Sequence, residues 1–319
     1  MVDVSVIIVC MNRPDNLYPC LESLRAHSEG VSVETLVVAY MYEKTALDKA
    51  RQDFPDVKFI VNDEISGFSK NNNIALRQAR GRYCFVLNDD TQMLEDVLAP
   101  LVADMERLPG DAAIVSPRLL NADGSLQLLG RPAYPARNYV LQQWHLYSEP
   151  KDNVSGETPL FGEVFRTHNI TGAAFLIKTD VFRELGWFDE RFFFTPEDIA
   201  LSTLAESKGY GVYVDAGVSL VHKWRTTASR MMEATRPAAV RGSLMHFSGF
   251  GTGRYLLLAA AVWPAEFGKR LKAWAVSVVS PSKENLSTLR VHRNITRSIF
   301  TRRTPEQIFK KYYRKLQGK

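Results

Sequence analysis

The sequence predicts an α/β fold in which a doubly wound, mostly parallel sheet is followed by a helical, basic C-terminal region. Two observations carry this prediction. Apolar β-branched runs alternate with helical stretches in the first part of the 319-residue chain, and basic residues accumulate after Pro264. Continuous apolar strands separated by helices are typical of a parallel sheet covered on both faces. The runs predicted as strands are Val4–Val9, Val33–Val38, Val57–Val61, Tyr83–Leu87 and Ala112–Val115.

Helical stretches connect these strands. The predicted helices are Asp15–Ala26, Glu43–Asp53, Ser69–Ala79 and Leu94–Arg107. Right-handed crossovers through them give a nucleotide-binding-like half. Because ligands of such sheets bind at the carboxyl ends of the strands, the residues that follow each strand are the first candidates for a binding site.

The second half of the chain has a different character. From Ser116 to Asn169, Gly, Pro and Asn are frequent and aromatic residues are interleaved, which predicts a long, partly irregular excursion. Thr195 is predicted to cap a helix with Pro196 in its first turn. Beyond Ser229 the chain is expected to be helical. The strands expected here are Ala173–Lys178 and a pair at Tyr210–Val214 and Val218–His222.

Composition limits the class of protein. Hydrophobic residues make up 45% of the chain, which is enough for a buried core and excludes general disorder. The three cysteines, Cys10, Cys20 and Cys84, are too few for a disulfide framework, so a reducing compartment is expected. No basic stretch precedes the first apolar run, as it would in a secretory signal. These features predict a cytoplasmic protein.

Charge is unevenly distributed along the chain. Fourteen basic and three acidic residues lie between Pro264 and Lys319, a net charge of +11, which leaves −6 for the rest because the total is +5. Such a region suits an anionic membrane surface, nucleic acid or an acidic partner, although a solvated helical face explains it equally well. The apolar stretch Leu256–Trp263 is too short to span a bilayer.

Two adjacent carboxylates follow a predicted strand directly. Asn88, Asp89 and Asp90 come after Tyr83–Leu87, which places them on the ligand side of a parallel sheet. Carboxylate oxygens suit Mg²⁺ or Mn²⁺, which in turn bind the phosphates of a nucleotide. The simpler alternative is a strand-ending turn, since Asn and Asp favour turns.

Three further segments carry candidate chemistry. The loop from Gly67 to Asn73 can direct backbone N–H groups and Lys70 toward phosphate or sugar oxygens, or its asparagines simply cap a helix. Glu197 and Asp198 follow an aromatic run, where a carboxylate is placed to deprotonate a hydroxyl or only complements a helix dipole. His222 ends a strand, and a lone histidine is more often structural than a ligand.

Taken together, these segments resemble the family 2 glycosyltransferases of the GT-A fold, most closely the bacterial rhamnosyltransferase-like subgroup. The resemblance covers roughly residues 3 to 225. Several blocks that occur in the family's order indicate the family more specifically than any single block does. The blocks that carry it are Ser5–Arg13, Gly67–Phe68 with Asn72–Asn73, Ala79–Tyr83, Leu87–Asp90, Ser116–Gln127, Thr171–Lys178, Gly186–Phe193 and Glu197–Asp198.

The resemblance implies roles for individual residues. Asp90 is expected to bind the metal together with His222, and Asp198 is expected to be the general base beside Glu197. The residues expected at the acceptor are Trp187, Asp189 and Glu190. The residues expected at the donor are Asn12, Arg13, Tyr40, Gly67, Lys70, Asn72, Asn88 and Asp89. The sequence departs from the family at Ala39–Tyr42, where an Asp-Asn-x-Ser type turn is usual, and Tyr40 is expected to stack on the base.

The implied activity is inverting transfer of a sugar from a nucleotide-diphosphate donor to a hydroxyl acceptor. The implied donor is dTDP-rhamnose or a UDP-sugar, and the implied acceptor is a surface glycan or a lipid-linked saccharide. Mg²⁺ or Mn²⁺ is the expected cofactor.

Residues 1–228 are expected to form the transferase domain, in which the donor half extends to about residue 115. Residues 229–319 are expected to form a helical region. That region is a candidate contact for the inner membrane face or for a second copy of the chain.

Two other classes of function remain alternatives. A nucleotidyltransferase that makes sugar nucleotides also needs acids after a strand, but its glycine-rich, basic opening loop is missing near Asn12 and Arg13. A non-catalytic nucleic-acid-binding protein would use the basic tail, but no RRM, KH or zinc-knuckle signature is present, so no nucleic acid is expected.

Overall fold

The computed structural model describes residues 2–223 and 228–318. Within these residues, ten strands form one mixed sheet. The five strands predicted in the first part of the chain are confirmed, each with one to five further residues, and the strand predicted at Ala173–Lys178 is confirmed from Ala174. Their bounds are β1 Val4–Met11, β2 Val33–Tyr40, β3 Val57–Asn62, β4 Tyr83–Asn88, β5 Thr91–Met93, β6 Ala112–Leu120, β7 Leu126–Leu128, β8 Val164–Thr167, β9 Ala174–Lys178 and β10 Gly211–His222.

Helices connect the strands and follow the last one. The described α-helices are α1 Pro14–Ala26, α2 Lys44–Asp53, α3 Phe68–Leu76, α4 Leu98–Arg107, α5 Ala136–Gln143, α6 Thr179–Glu184, α7 Glu197–Ser207, α8 Met232–Phe247, α9 Thr252–Val279, α10 Lys283–Ser298 and α11 Pro305–Leu316. The expected family resemblance extends to Arg225, but Trp224 and Arg225 lie outside the described residues, as does Lys319 of the basic region.

The strands β3, β2, β1, β4, β9, β6, β10 and β5 lie side by side in that order. β9 is antiparallel to both its neighbours, β4 and β6, while β1 to β4 run parallel to one another and β6 runs parallel to β10. The predicted mixed, mostly parallel sheet is therefore confirmed. The polar residues that follow β1, β2 and β4 consequently lie at one edge of this sheet.

Alternate side chains of β1 enter two different hydrophobic cores. Val6 and Ile8 pack with residues of α1 and α4, whereas Ile7 packs with residues of α3 and α7. This alternation follows from the two-residue period of a strand. It explains why β1 is apolar along its whole length, since both faces of the sheet are covered.

Two predictions of secondary structure are wrong. The expected pair Tyr210–Val214 and Val218–His222 is one strand, β10, which pairs with β6 on both sides of an irregularity between Asp215 and Ser219. The bulge lets the chain continue instead of turning back. Thr195 does not cap α7, because Pro196 occupies the N-cap position and no side chain caps there.

The excursion is more regular than predicted, because the C-terminal helices pack against it. It contains β7, α5 and β8, and its Tyr134 and Tyr139 are buried against residues of α8, α9 and α10. Ile199 of α7 belongs to the same cluster. In a neighbouring cluster, Phe309 of α11 stacks on Phe193, with ring centroids 4.4 Å apart. The C-terminal helices thus support the segment that leads into α7.

Candidate active site

The carboxyl end of β4 brings Asp90 against His222. Asp89 and Asp90 form the turn between β4 and β5, and β5 pairs with β10 so that Thr91 lies opposite His222. Both Asp90 and His222 are buried, and the Asp90 Oδ1 atom lies 3.3 Å from His222 Nε2. The Asn88 side-chain amide lies 3.4 Å from the same ring nitrogen. The family resemblance implied that Asp90 and His222 act together, and the fold brings the two side chains into contact.

Gln127 sets the orientation of the His222 ring. Its amide nitrogen donates to the His222 backbone carbonyl at 2.9 Å, so its other side-chain atom must be the carbonyl oxygen. That oxygen lies 2.7 Å from His222 Nδ1, which consequently carries a proton. In the neutral ring Nε2 then presents its lone pair toward Asp90. Gln127 lies in a block that carries the family resemblance, but no role was predicted for it.

These side chains fit a divalent cation in part. A carboxylate oxygen and an imidazole nitrogen are suitable ligands for Mn²⁺, and a carboxylate for Mg²⁺. Among residues 2–223 and 228–318 no group of three or more His, Cys, Asp or Glu side chains could hold a metal. A cation at Asp90 and His222 would therefore take its remaining ligands from a phosphate group and from water.

Asp89 occupies a different environment from Asp90. It is buried beside Cys10 and Arg13, and its Oδ2 atom has no hydrogen-bond partner among the described residues. Burial and then the charge of Asp90 raise the pKa of Asp89 to about 7. The guanidinium of Arg13 is itself buried and donates to Asp15 at 2.6 Å. Asp89 thus points into the protein, toward Cys10 and Arg13.

The expected donor residues after β1 and β2 hold loops in place. Asn12 accepts a hydrogen bond from the Glu43 backbone N–H at 3.1 Å. Tyr40 is buried, its hydroxyl accepts from the Ser66 backbone N–H at 3.2 Å, and burial raises its pKa to about 12. A buried ring has no open face for a base, so this placement does not support the expected stacking by Tyr40.

The loop before α3 packs directly against the segment before α7. The Phe68 backbone N–H donates to the Phe193 carbonyl at 2.8 Å, and a Cβ atom on Gly67 would lie 2.5 Å from that oxygen. Glycine is required here by close approach of the backbones. Lys70 is partly exposed, 3.7 Å from Glu64, and Asn72 donates to the Phe68 carbonyl at 2.9 Å.

The asparagines do not cap α3. Gly67 is the N-cap residue and no side chain bonds there, so the capping alternative is wrong. Instead, Asn73 exchanges two hydrogen bonds with the Phe188 backbone, at 2.9 Å and 3.1 Å. The polar run thus connects α3 to the aromatic segment that precedes the acids of α7.

Asp198 is held by a buried arginine that the sequence analysis did not single out. The Arg131 guanidinium donates to Asp198 Oδ2 at 2.9 Å and to Glu149 Oε1 at 2.7 Å. Burial lowers the pKa of Arg131, but Asp198 and Glu149 outweigh it and raise that pKa. Arg131 follows Gly130 inside the irregular excursion, so only the tertiary contact reveals it.

Glu197 is the more buried member of the acid pair. Its Oε2 atom accepts a hydrogen bond from the Thr195 backbone N–H at 2.7 Å. Burial and then the charge of Asp198 raise the pKa of Glu197 well above its usual range. Glu197 is therefore favoured in its protonated form, while Asp198 faces a guanidinium.

Two hydrogen bonds connect the end of β4 to the acid pair that begins α7. The Asn88 backbone N–H donates to the Ala173 carbonyl at 2.8 Å. The residue before Ala173, Gly172, donates its N–H to Asp198 Oδ2 at 3.3 Å. β4 and β9 are neighbours, and β9 starts at Ala174, where β4 ends. The acids after β4 and those that begin α7 thus lie at the same edge of the sheet.

The three residues expected at the acceptor line a separate groove. Trp187, Asp189 and Glu190 border a cavity of about 660 Å³ together with His246 and Phe250. Glu197 and Asp198 do not line this cavity. Asp189 pairs with Arg191, and Glu190 pairs with Arg77 at 2.7 Å. The structure therefore does not group these three residues with the acid pair. The part of α7 that lines the cavity begins at Ala200, after the two acids.

Comparison with known proteins establishes the class. The profile described as "Glycosyl transferase family 2" matches residues 5–186, more than half of the chain. The chain belongs to glycosyl transferase family 2. Over 241 residues it is 27% identical to "O-antigen biosynthesis protein RfbC" of Myxococcus xanthus, a match that covers 72% of this chain and 18% of that protein. The chain thus spans less than a fifth of this relative's length.

Solved glycosyltransferase structures share the fold at low sequence identity. GalNAc-T7 with UDP, GalNAc and Mn²⁺ has a TM-score of 0.56 at 16% identity, over 100% of this chain and 58% of that one. The mannosyltransferase PcManGT from Pyrobaculum calidifontis, with GDP-Man and Mn²⁺, has a TM-score of 0.51 at 14% identity, over 99% and 88%. S. aureus TarS 1-349 gives 0.52 at 11% identity, over 99% and 92%. The expected GT-A fold is confirmed.

Proposed function

We propose that this family 2 glycosyltransferase moves one sugar from a nucleotide-diphosphate donor to an acceptor hydroxyl with inversion at the anomeric carbon. The single observation that carries the proposal is the hydrogen-bonded connection from Asn88 through Gly172 to Asp198. It joins the strand end that is proposed to bind a cation to the carboxylate that is proposed to take a proton, and displacement of a diphosphate requires both in one place.

In this proposal the donor diphosphate lies against Asp90 and His222. A bound Mg²⁺ or Mn²⁺ would neutralise charge that develops on the leaving nucleoside diphosphate. Gln127 is a positioning residue, because its carbonyl oxygen fixes the proton of His222 on Nδ1 and leaves Nε2 free as a ligand. Asn88, Asp89, Asn12, Arg13, Gly67, Lys70 and Asn72 stay proposed donor-site residues.

Asp198 is the proposed general base. The acceptor oxygen forms a bond to the anomeric carbon, the bond from that carbon to the diphosphate oxygen breaks, and the hydroxyl proton passes to Asp198. Arg131 positions this carboxylate and compensates its charge. Glu197 anchors the turn before α7 by accepting a hydrogen bond from the Thr195 backbone N–H.

The donor is proposed to be dTDP-rhamnose or a UDP-sugar, and the acceptor a growing surface glycan or lipid-linked saccharide. The similarity to a protein named for O-antigen biosynthesis supports a polysaccharide acceptor. Residues 1–228 are the proposed catalytic unit, and 229–319 are proposed to reach a membrane face, a second copy of the chain being the alternative. No helix in the described part of the chain is long and apolar enough to cross a membrane.

A panel of nucleotide sugars with Mg²⁺ or Mn²⁺ tests the proposal. The expected result is thermal stabilisation by one dTDP- or UDP-sugar in the presence of the cation, and release of free nucleoside diphosphate when acceptor is added. Stabilisation by a nucleoside triphosphate with a sugar phosphate, and release of pyrophosphate, would instead identify a nucleotidyltransferase and refute transfer to an acceptor.

A further inference from the structure

The outward face of α9 is apolar along its whole length. The helix spans 28 residues, which corresponds to about 42 Å at the usual rise per residue. Its buried face, which includes Tyr255, Ala259 and Val262, packs into the cluster that also holds Ile199. Leu257 is 74% exposed and Val279 is 86% exposed. The other large exposed apolar residues of the helix are Leu256, Leu271, Trp274, Val276 and Val278.

Helical spacing places these residues in one stripe. At 100° per residue, Leu257, Leu271, Ala275 and Val278 fall on the side of α9 opposite the buried residues, with Ala260, Pro264 and Gly268 between them. All seven are exposed and none is charged. We call this stripe, together with Leu256, Trp274 and Val279, the outer face of α9.

The outer face carries no acidic residue. The one acid of α9, Glu266, is fully buried and pairs with Lys269 at 2.7 Å and His292 at 2.9 Å. Arg254 and Lys272 are exposed and flank the stripe on one side. The apolar surface is therefore bordered by positive charge without any opposing acid in this helix.

A second apolar element adjoins the middle of α9. The Trp144 indole N–H donates to the Ala261 carbonyl at 3.0 Å, and both Trp144 and Leu146 are exposed large hydrophobic residues. Tryptophan with its polar edge bonded and its ring exposed is suited to an interface between water and an apolar phase. The patch is thus wider than one helix stripe.

Charge decides between the two partners that an apolar patch of this size would accept. A second copy of the chain would bring another region of net charge +11, between Pro264 and Lys319, against the first, and like charges oppose association. Anionic lipid offers both an apolar layer and opposite charge. Since no described helix can cross a membrane, the contact would lie in the plane of the lipid interface.

We infer that the outer face of α9, with Trp144 and Leu146, is a membrane-contact surface that binds anionic lipid headgroups and inserts its apolar side chains among them. This surface is independent of the proposed reaction, because none of its residues belongs to the candidate active site. Ile199, which follows Asp198, belongs to the same hydrophobic cluster as the buried side of this helix.

Vesicle flotation of the full chain tests this inference. The probes are vesicles of phosphatidylcholine alone and vesicles containing about one third phosphatidylglycerol. The chain is expected to float with the anionic vesicles and at least about tenfold less with the neutral ones. The triple variant Leu257→Glu, Leu271→Glu and Val278→Glu is expected to lose binding at least about tenfold. Leu160→Glu is the matched control, since Leu160 is an exposed leucine outside the patch, and it is expected to bind like the parent chain.

Thermal unfolding and donor binding in the absence of lipid are measured on all variants. Unchanged values show that the triple variant is folded, and they separate a failed lipid contact from a failed reaction. Absence of flotation by the parent chain, or equal flotation by the triple variant, would overturn the inference. A concentration-dependent dimer formed by the parent chain and by Leu160→Glu, but not by the triple variant, would also overturn the inference. The outer face of α9 would then bind a second copy of the chain.

Discussion

Two pairs of adjacent acids, Asp89–Asp90 and Glu197–Asp198, share the same internal organisation. In each pair the first acid is buried and its pKa is raised by burial and by its neighbour. The second acid contacts a nitrogen-bearing side chain, His222 for Asp90 and Arg131 for Asp198. Two carboxylates adjacent in sequence can therefore lie in different electrostatic environments, because the backbone directs consecutive side chains into different surroundings.

The pairs differ in the partner of the second acid, and this difference separates their chemistry. A neutral imidazole nitrogen can share a cation with Asp90. A guanidinium has no acceptor and binds no metal, so it can only hold and compensate Asp198. The comparison teaches that the partner side chain, and not the acid itself, distinguishes the proposed metal position from the proposed proton-accepting position.

The largest effect is expected for the second acid of the α7 pair. Asp198→Asn should lower kcat by about 10²- to 10⁴-fold with little change in donor binding, because the acceptor proton then has no base. Glu197→Gln, which imitates a protonated Glu197, should lower kcat less than about tenfold. Steady-state kinetics and calorimetry of donor binding measure both. If Glu197→Gln were the more damaging change, the roles within the pair would be reversed.

The second prediction concerns the second acid of the β4 pair. Asp90→Ala should weaken donor binding in the presence of Mn²⁺ by about 100-fold or more, since even residues behind a metal ligand contribute 10- to 100-fold. Binding measured with a chelator present should hardly change. Donor affinity that is indifferent both to Mn²⁺ and to the substitution would remove Asp90 from the metal position.

The third prediction addresses what orients His222. Gln127→Met removes the acceptor at Nδ1, and it should weaken Mn²⁺ binding, measured with the nucleoside diphosphate by calorimetry or paramagnetic resonance, about 10- to 100-fold. Gln127→Glu keeps an acceptor oxygen at that position and should restore part of the affinity. Equal loss in both variants would point to packing instead of ring orientation.

The smallest effect is expected for a buried acid outside both pairs. Burial, followed by a hydrogen bond to Asp215, raises the pKa of Asp104 to about 7, and Asp104 lies in α4, which contributes no residue to the candidate site. A pKa raised in the folded state contributes stability that is present below about pH 4 and is lost as pH rises through about 7. Asp104→Asn should therefore increase the free energy of unfolding at pH 8 by on the order of 1 kcal/mol, with no difference near pH 4.

Urea unfolding at the two pH values measures this effect, and the transfer rate of Asp104→Asn should equal that of the parent chain. An equal gain at both pH values would show that titration is not the cause. If Asp104→Asn lost transfer activity, a buried acid outside the candidate site would affect the reaction. A raised pKa would then not be a feature that singles out the two acid pairs.

The sequence predicted the sheet well because its signals are local. Apolar runs such as Val4–Val9 have the composition of a strand. The acids that follow Leu87 come at the end of a strand, and this can be predicted without knowing the position of the strand in the sheet. It failed at β10, where the bulge between Asp215 and Ser219 imitates a turn. It also failed at Thr195, because Pro196 occupies the N-cap position of α7 and the Thr195 backbone N–H donates to Glu197 instead.

By itself, the sequence determined the order of strands and helices, the positions of Asp90 and Asp198 at element ends, and the positive charge of the C-terminal region, since each follows from neighbouring residues. Only the tertiary structure decided that Gln127 orients His222, that Arg131 holds Asp198, and that α9 turns an apolar face outward. These contacts join residues from 67 to more than 90 positions apart or depend on which helix face is covered, and no local pattern encodes them.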